Sequence, residues 1–318
     1  YSYKLKSPYE IRYVLEKAYH IATSDRPGPV LIDIPLNFQN FNINENKLKS
    51  FKPKKEIKKN NYKKITKKIE FFFKNSKRPV VVLGGGIKYA KAENILNKFL
   101  KKIKIPILTT WSGTDLIDHN NKNYIGNIGV YGSRCANFSV QNSDLVFCLG
   151  TRLDTRTTGG VPRTFARNAK KIVVDIDKHE LNKKRGLKID LKINSDVKIF
   201  LNNFVKHSNK YSAKNEWFNT NFLWKKKFPI IQKKYFNEKK FVNPYVLMDK
   251  LSKFTNKDEI IIADDGAHLS WALQAYKVKY NQKLFSAFGN SPMGYSLPAS
   301  IGASIAKNKK RIICIDGD

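Results

Sequence analysis

The chain has 318 residues, 41% of them hydrophobic, which is long and apolar enough for two or more packed cores. Its 60 Lys and Arg against 26 Asp and Glu give a formal net charge of +34. No apolar run approaches the roughly 18 residues of a membrane span, and residues 1–9 lack the charged-then-apolar layout of a signal peptide, so a soluble protein with no membrane partner is expected.

In chain order, SPYE at 7–10 has the form of a capping box, with Ser7 as cap, Pro8 at the first helical position and Glu10 reaching back. Ile11, Val14, Leu15, Ala18 and Ile21 then repeat at helical spacing, and DRPGP breaks the pattern before a strand, VLIDI, at 30–34. Residues from about 36 to 60 are rich in Asn and Lys and read as surface linker. The basic run at 51–79 comes nearest to a nucleic-acid arm. Its Ile65, Ile69, Phe72 and Phe73 nevertheless fall at i, i+4, i+7 and i+8, the pattern of a helix with one buried face and a Lys-covered outer face. Lys and Asn are abundant throughout, so the charge reads as compositional drift, useful at most for attracting small anions, and no nucleic-acid partner is expected.

PVVVLGGG at 79–86 predicts a buried strand ending in a glycine turn, 90–103 a helix, and IPILTT at 105–110, DLVFCLG at 144–150 and KIVVDID at 171–177 further strands. A polar, aromatic-containing helical stretch at 215–235 leads to a third unit. Asn243-Pro244 opens a helix carrying Val246, Leu247 and Leu251, followed by strands EIIIAD, LFSAF and RIICID with a helix at 296–306. Strands alternating with helices predict an α/β protein of successive doubly wound parallel sheets. The expected division is 1–45 as the end of a first domain, 46–61 as linker, 62–205 as a central domain, 206–240 as linker, and 241–318 as the start of a third domain. Cys135, Cys148 and Cys314 have no CxxC spacing, which argues against zinc or a disulfide framework. All three are expected to be buried or half-buried thiols in a reducing compartment, the cytoplasm.

The chain begins at Tyr1 and stops at IDGD, in the middle of an α/β pattern, so it reads as the interior of a longer protein. Taken alone, DGD is a polar turn. Three consecutive strand ends in the last unit, however, carry small or polar residues suited to close ligand approach: DDGAHLSW at 264–271, FGNSPMGYSL at 288–297, and DGD at 316–318.

This arrangement resembles the diphosphate-binding domain of thiamine diphosphate (ThDP) enzymes, in which a GDG sequence opens a longer motif ending in Asn. Gly317 and Asp318 match its first two letters. Within that superfamily the chain is most similar to the acetohydroxyacid synthase (acetolactate synthase) catalytic subunit. RPGPVLIDIP at 26–35 resembles the end of its pyrimidine-binding domain. IGVYG at 128–132, TRLDTRTTG at 151–159 and VVDIDKHEL at 173–181 resemble its central domain, and GAH at 266–268 and NSPMGYSLPASIGA at 290–303 its diphosphate domain. The resemblance implies that Gly266, His268, Gly317 and Asp318 lie at the ThDP diphosphate, with Asp318 a ligand of Mg2+. It also implies that Met293 supports the bent cofactor. Read as residues alone, His268 is a helix cap or core histidine and Met293 ordinary packing. The resemblance implies that the glutamate activating the pyrimidine falls before Tyr1, so the catalytic residue is unknown within residues 1–318, which alone are expected to be inactive.

GGG at 84–86 lacks GxGxxG spacing, since the sixth position is Tyr89. RLDTR at 152–156 stands where flavin-carrying members have RFDDR, which makes Arg152, Asp154, Arg156 and Asp175 candidate FAD contacts, or else the arginines form surface or interdomain ion pairs. Arg156 is also a candidate for steering a 2-oxo acid carboxylate. Two departures bear on the reaction: Ala267 stands where Gln is usual, and Leu36 where Lys is usual. The implied reaction is decarboxylation of pyruvate and its joining to a second 2-oxo acid by a homodimer or homotetramer, with a regulatory subunit open. Another ThDP-dependent decarboxylase or carboligase, an FAD- or NAD-dependent oxidoreductase and a basic binding protein are the rival expectations.

Overall fold

The computed structural model of the chain describes residues 1–53 and 60–317. It divides into two compact units, Tyr1–Asn60 and Asn61–Asp318.

In the first unit the strands Ser2–Lys4 and Leu31–Asp33 pair in parallel, joined by the helix Ile11–Thr23. Ser7 accepts the Tyr9 N–H at 3.3 Å as expected of a cap, but Glu10 reaches back to the Lys6 N–H rather than to Ser7, and a single turn Pro8–Glu10 precedes the helix. The helix buries Val14 and Ala18, whereas Leu15 and Ile21 are exposed. The predicted linker contains two further turns, Leu36–Gln39 and Glu45–Lys47. It folds back through Glu16, whose carboxylate accepts from the Arg12 guanidinium, the Ser50 hydroxyl and the Phe51 N–H; these bonds hold its pKa at about 2. Residues 54–59 of the basic run lie outside the described residues.

The second unit is built on a six-stranded sheet, parallel throughout, in the order Tyr124–Asn127, Ile107–Thr109, Pro79–Leu83, Leu145–Leu149, Lys170–Asp175, Leu191–Asn194. The chain winds outward from Pro79–Leu83 in one direction and then returns to wind in the other, the doubly wound topology. Pro79–Leu83 and Leu145–Leu149 are buried along their whole length, because both faces are covered, and therefore read as unbroken apolar runs. Phe73 from the helix Tyr62–Lys74, Phe99 from Glu93–Lys102, and Phe200 and Phe204 from Val197–His207 converge on Phe147, with ring centroids 5.8–6.1 Å from it. The basic helix Tyr62–Lys74 thus spends its apolar face on the core. The predicted helix at 90–103 forms as Glu93–Lys102 after a separate turn, Gly86–Tyr89.

The third predicted domain contributes a parallel sheet in the order Lys283–Phe285, Ile260–Ala263, Ile312–Ile315, with helices Pro244–Phe254, Ala267–Ala275 and Ser296–Ala306. In the first of these helices Met248 is buried, and Leu247 is 51% exposed. The expectation for Cys314 is corrected: it is exposed, because it sits on the terminal strand of this sheet, while Cys135 and Cys148 are buried. The two sheets are bridged within the unit by His119 N–H to Val278 O at 2.9 Å, Asn127 to Leu273 O at 2.6 Å and Gln274 to Tyr131 O at 2.7 Å. Among the described residues no helix is long and apolar enough to cross a membrane.

Candidate cofactor site

The strand Ile260–Ala263 ends at Asp264, whose residue is 3% exposed. Its two oxygens accept three backbone N–H groups from the start of the helix Ser296–Ala306: Gly294 at 2.7 Å, Tyr295 at 2.7 Å and Ser296 at 2.9 Å. Burial alone would raise the pKa of this carboxyl group. The three N–H bonds, helped by nearby His268, outweigh it and leave the pKa below its ordinary value. The Ser296 hydroxyl donates in turn to Asp316 at 2.7 Å, at the end of the neighbouring strand Ile312–Ile315, and Asp316 also accepts the Gly317 N–H at 2.9 Å. Two strand ends and a helix start are thereby tied into one edge.

His268 stands in the first turn of the helix Ala267–Ala275, with its ring laid against this edge. A Cβ at position 266 would come within 2.6 Å of the imidazole Cε1, and one at 317 within 3.3 Å, so the ring occupies the space that a side chain at 266 would need. Among the described residues its buried Nε2 has no hydrogen-bond partner. A buried ring nitrogen without a partner among the described residues, at converging strand ends, suits an oxygen-rich ligand, and the candidate residues Gly266, His268 and Gly317 are brought together there. Met293 lies on the loop just before the Ser296 helix and is 81% exposed, so it does not fill the core. Asp318 lies outside the described residues, and among those described no cluster of three His, Cys, Asp or Glu residues is placed to hold a metal.

The central-domain candidates gather at the carboxyl edge of the six-stranded sheet. Asp154 caps the turn Thr155–Thr158, accepting the Thr157 N–H and hydroxyl, both at 3.0 Å, and pairs with Arg152 at 3.3 Å. Asp175, at the end of its strand, accepts the Asp177 N–H at 2.8 Å. Arg156 is turned elsewhere. Its Nη1 donates to Phe288 O at 2.8 Å and Ser291 Oγ at 2.5 Å, and the guanidinium lies 5.9 Å from the Trp111 ring centroid. The glycines at 84–86 are accounted for by chain packing: a Cβ at Gly84 would sit 2.3 Å from Gly150 O, where Gly150 itself has φ +61°. Sequence reasoning passed over Asp264, Ser296 and Asp316. Their segments read as strand ends suited to ligand approach, but the letters do not say which side chains turn inward, and the Asp264-Asp265 pair leaves the choice between its two members open.

Residues 67–204 match the family model described as the thiamine pyrophosphate enzyme central domain, and residues 264–318 the C-terminal TPP binding domain of the same enzymes. The acetolactate synthase large subunit of Cyanidium caldarium is 35% identical over 329 residues, and that of Lactococcus lactis 29% over 323. The probable acetolactate synthase large subunit of Methanocaldococcus jannaschii is 31% identical over 333 residues. Each alignment covers 100% of this chain and 54 to 55% of the relative, so the chain spans about half the length of the curated relatives it matches. With both domain models matched in order, over residues 67–204 and 264–318, the chain belongs to the thiamine pyrophosphate enzyme family.

Proposed function

We propose that this chain is the central and cofactor-binding part of an acetolactate synthase-like enzyme. Such an enzyme decarboxylates pyruvate and joins the two-carbon fragment to a second 2-oxo acid, giving acetolactate or acetohydroxybutyrate for branched-chain amino acid synthesis. The observation that carries the reading is the buried His268 Nε2, which has no hydrogen-bond partner among the described residues, between Gly266 and Gly317 at converging strand ends. In sequence, those ends fall within the matched TPP binding domain.

ThDP, when bound, supplies the carbanion chemistry. In this reading His268 offers its ring nitrogen to a diphosphate oxygen and the Gly266 and Gly317 backbones admit that group closely. Asp318 is assigned to Mg2+, a hard cation that takes oxygen ligands and phosphate oxygens together. Met293, exposed on its loop, presents its side chain and main chain to the cofactor. Flavin is carried in the proposal only as a structural occupant of the edge holding Arg152, Asp154 and Asp175. It takes no part in a step, and the visible absorbance of the purified full-length protein tests it. A homodimer or homotetramer, with or without a regulatory subunit, completes the proposal.

The test is calorimetric titration of the full-length protein with ThDP in the presence of Mg2+, alongside His268→Ala. Saturable binding that weakens at least about tenfold in the variant is expected, the loss that follows when a charge-assisted hydrogen bond is removed. Unchanged affinity would remove His268 from the site.

A second reading keeps the cofactor and changes the carbon product, to another ThDP-dependent 2-oxo acid decarboxylase or carboligase. It is favoured by Leu36, which is 75% exposed where the family usually has Lys, and by Ala267, exposed beside Gly266.

A further inference from the structure

The loop at 288–296 packs Phe288 against the C-terminal core and bonds its Ser291 N–H to Ala287 O at 2.9 Å, while the N–H groups of 294–296 are held from outside the loop. Ser291 has φ +50° and Gly294 φ +80°, two left-handed residues bracketing Met293, and the Met293 side chain is exposed and gives the loop no core anchor. Glycine adopts such a φ freely, but a left-handed residue other than glycine, here Ser291, keeps its shape only when its surroundings over-determine it. Two side chains from outside the loop do so. At its end, the buried Asp264 carboxylate takes the N–H groups of Gly294, Tyr295 and Ser296. At its start, Arg156 from the central domain holds Phe288 O and Ser291 Oγ. Ser296 passes the first anchor on to Asp316, directly before Gly317.

We infer that Asp264 is a positioning residue for the cofactor loop: it fixes the backbone that carries Met293 in register with the Asp316-Gly317 turn, while Arg156 holds the other end of the loop. The inference rests on the proposed ThDP reading, yet its geometric content stands apart from it. A carboxylate is suited to the task because it offers two acceptor oxygens to three inward-pointing donors. An amide of the same shape offers one oxygen and turns an NH2 group toward N–H groups that need an acceptor. Arg156 is accordingly assigned to the loop rather than to the substrate carboxylate.

The experiment uses the full-length protein and its Asp264→Asn and Arg156→Ala variants. Amide hydrogen exchange of the ligand-free proteins is expected to show protection at residues 294–296 in the parent and its loss in Asp264→Asn, with the strand Ile260–Ala263 unaffected. ThDP affinity measured with Mg2+ is expected to fall at least about tenfold in Asp264→Asn. In Arg156→Ala, ThDP affinity is also expected to fall. A raised KM for pyruvate at unchanged ThDP affinity would instead return Arg156 to the substrate and overturn its place as an anchor. Retained protection at 294–296 in Asp264→Asn would overturn the inference whether or not the parent binds ThDP, and failure of the parent to bind ThDP would overturn the cofactor reading alone. If Asp264→Asn does not fold, Asp264→Glu keeps the charge and displaces it by one methylene. A folded Asp264→Glu protein with parental ThDP affinity would equally refute the positioning role.

Discussion

His119 makes the second unit acid-sensitive in a way that can be measured. Its imidazole stacks on the Tyr124 ring at 4.5 Å, its Nε2–H donates to Thr114 O at 3.0 Å, and its backbone N–H joins the central domain to Val278 O of the C-terminal portion. Burial lowers its pKa most; the Thr114 carbonyl partly offsets this, and the nearby Lys225 charge lowers it further, bringing 6.5 down to about 4. Between those values the unfolded chain holds a proton on this ring that the folded chain refuses, so stability is fully present above pH 6.5 and is lost as pH falls toward 4. The difference of 2.5 between 6.5 and 4, at about 1.4 kcal/mol each, sets a ceiling of about 3.5 kcal/mol, and the effect falls below it because part of the residue still meets solvent. Urea unfolding of the full-length protein and of His119→Phe, followed at pH 7 and pH 4.5, isolates the effect. Phe keeps the stack and removes the titration, so the parent is expected to lose more stability on acidification than the variant does. Equal losses in the two proteins would refute the assignment.

Phe147→Ala, at a site with 0% exposure ringed by four phenylalanines, should cost about 3–5 kcal/mol in the same unfolding assay. Gly84→Ala would drive a methyl group into Gly150 O and should destabilise by about 1–3 kcal/mol, read as a lowered thermal midpoint. Met293→Ala should leave the stability of the ligand-free protein within about 0.5 kcal/mol, because the side chain is exposed. The same change should lower the steady-state rate of product formation at least about tenfold if Met293 supports the cofactor.

Much of the architecture could be read from the residues because buried parallel strands and amphipathic helices have distinct periods. Pro79–Leu83, Leu145–Leu149 and Ser296–Ala306 lie where their patterns placed them. Strands Tyr124–Asn127 and Leu191–Asn194 escaped notice because Gly126, with φ +149°, and the alternating Lys192 and Asn194 break the apolar run, so pairing with neighbouring strands defines them more than composition does. The site divides in the same way. His268, Gly266 and Gly317 were visible as motif letters, whereas Asp264 acts on residues 30 or more positions away, a relationship only the folded chain brings into contact. Arg156 was visible as a charge in a motif, and its partners Phe288 and Ser291, in another domain of the sequence, were not.

The central claim is the carbon-joining reaction, and the most direct measurement is to incubate the full-length protein with pyruvate, ThDP and Mg2+ and identify the carbon product. The account predicts acetolactate, with acetohydroxybutyrate when 2-oxobutyrate is added. Acetaldehyde alone, or pyruvate left intact by protein that demonstrably binds ThDP, would contradict it and move the function to the sister decarboxylases and carboligases.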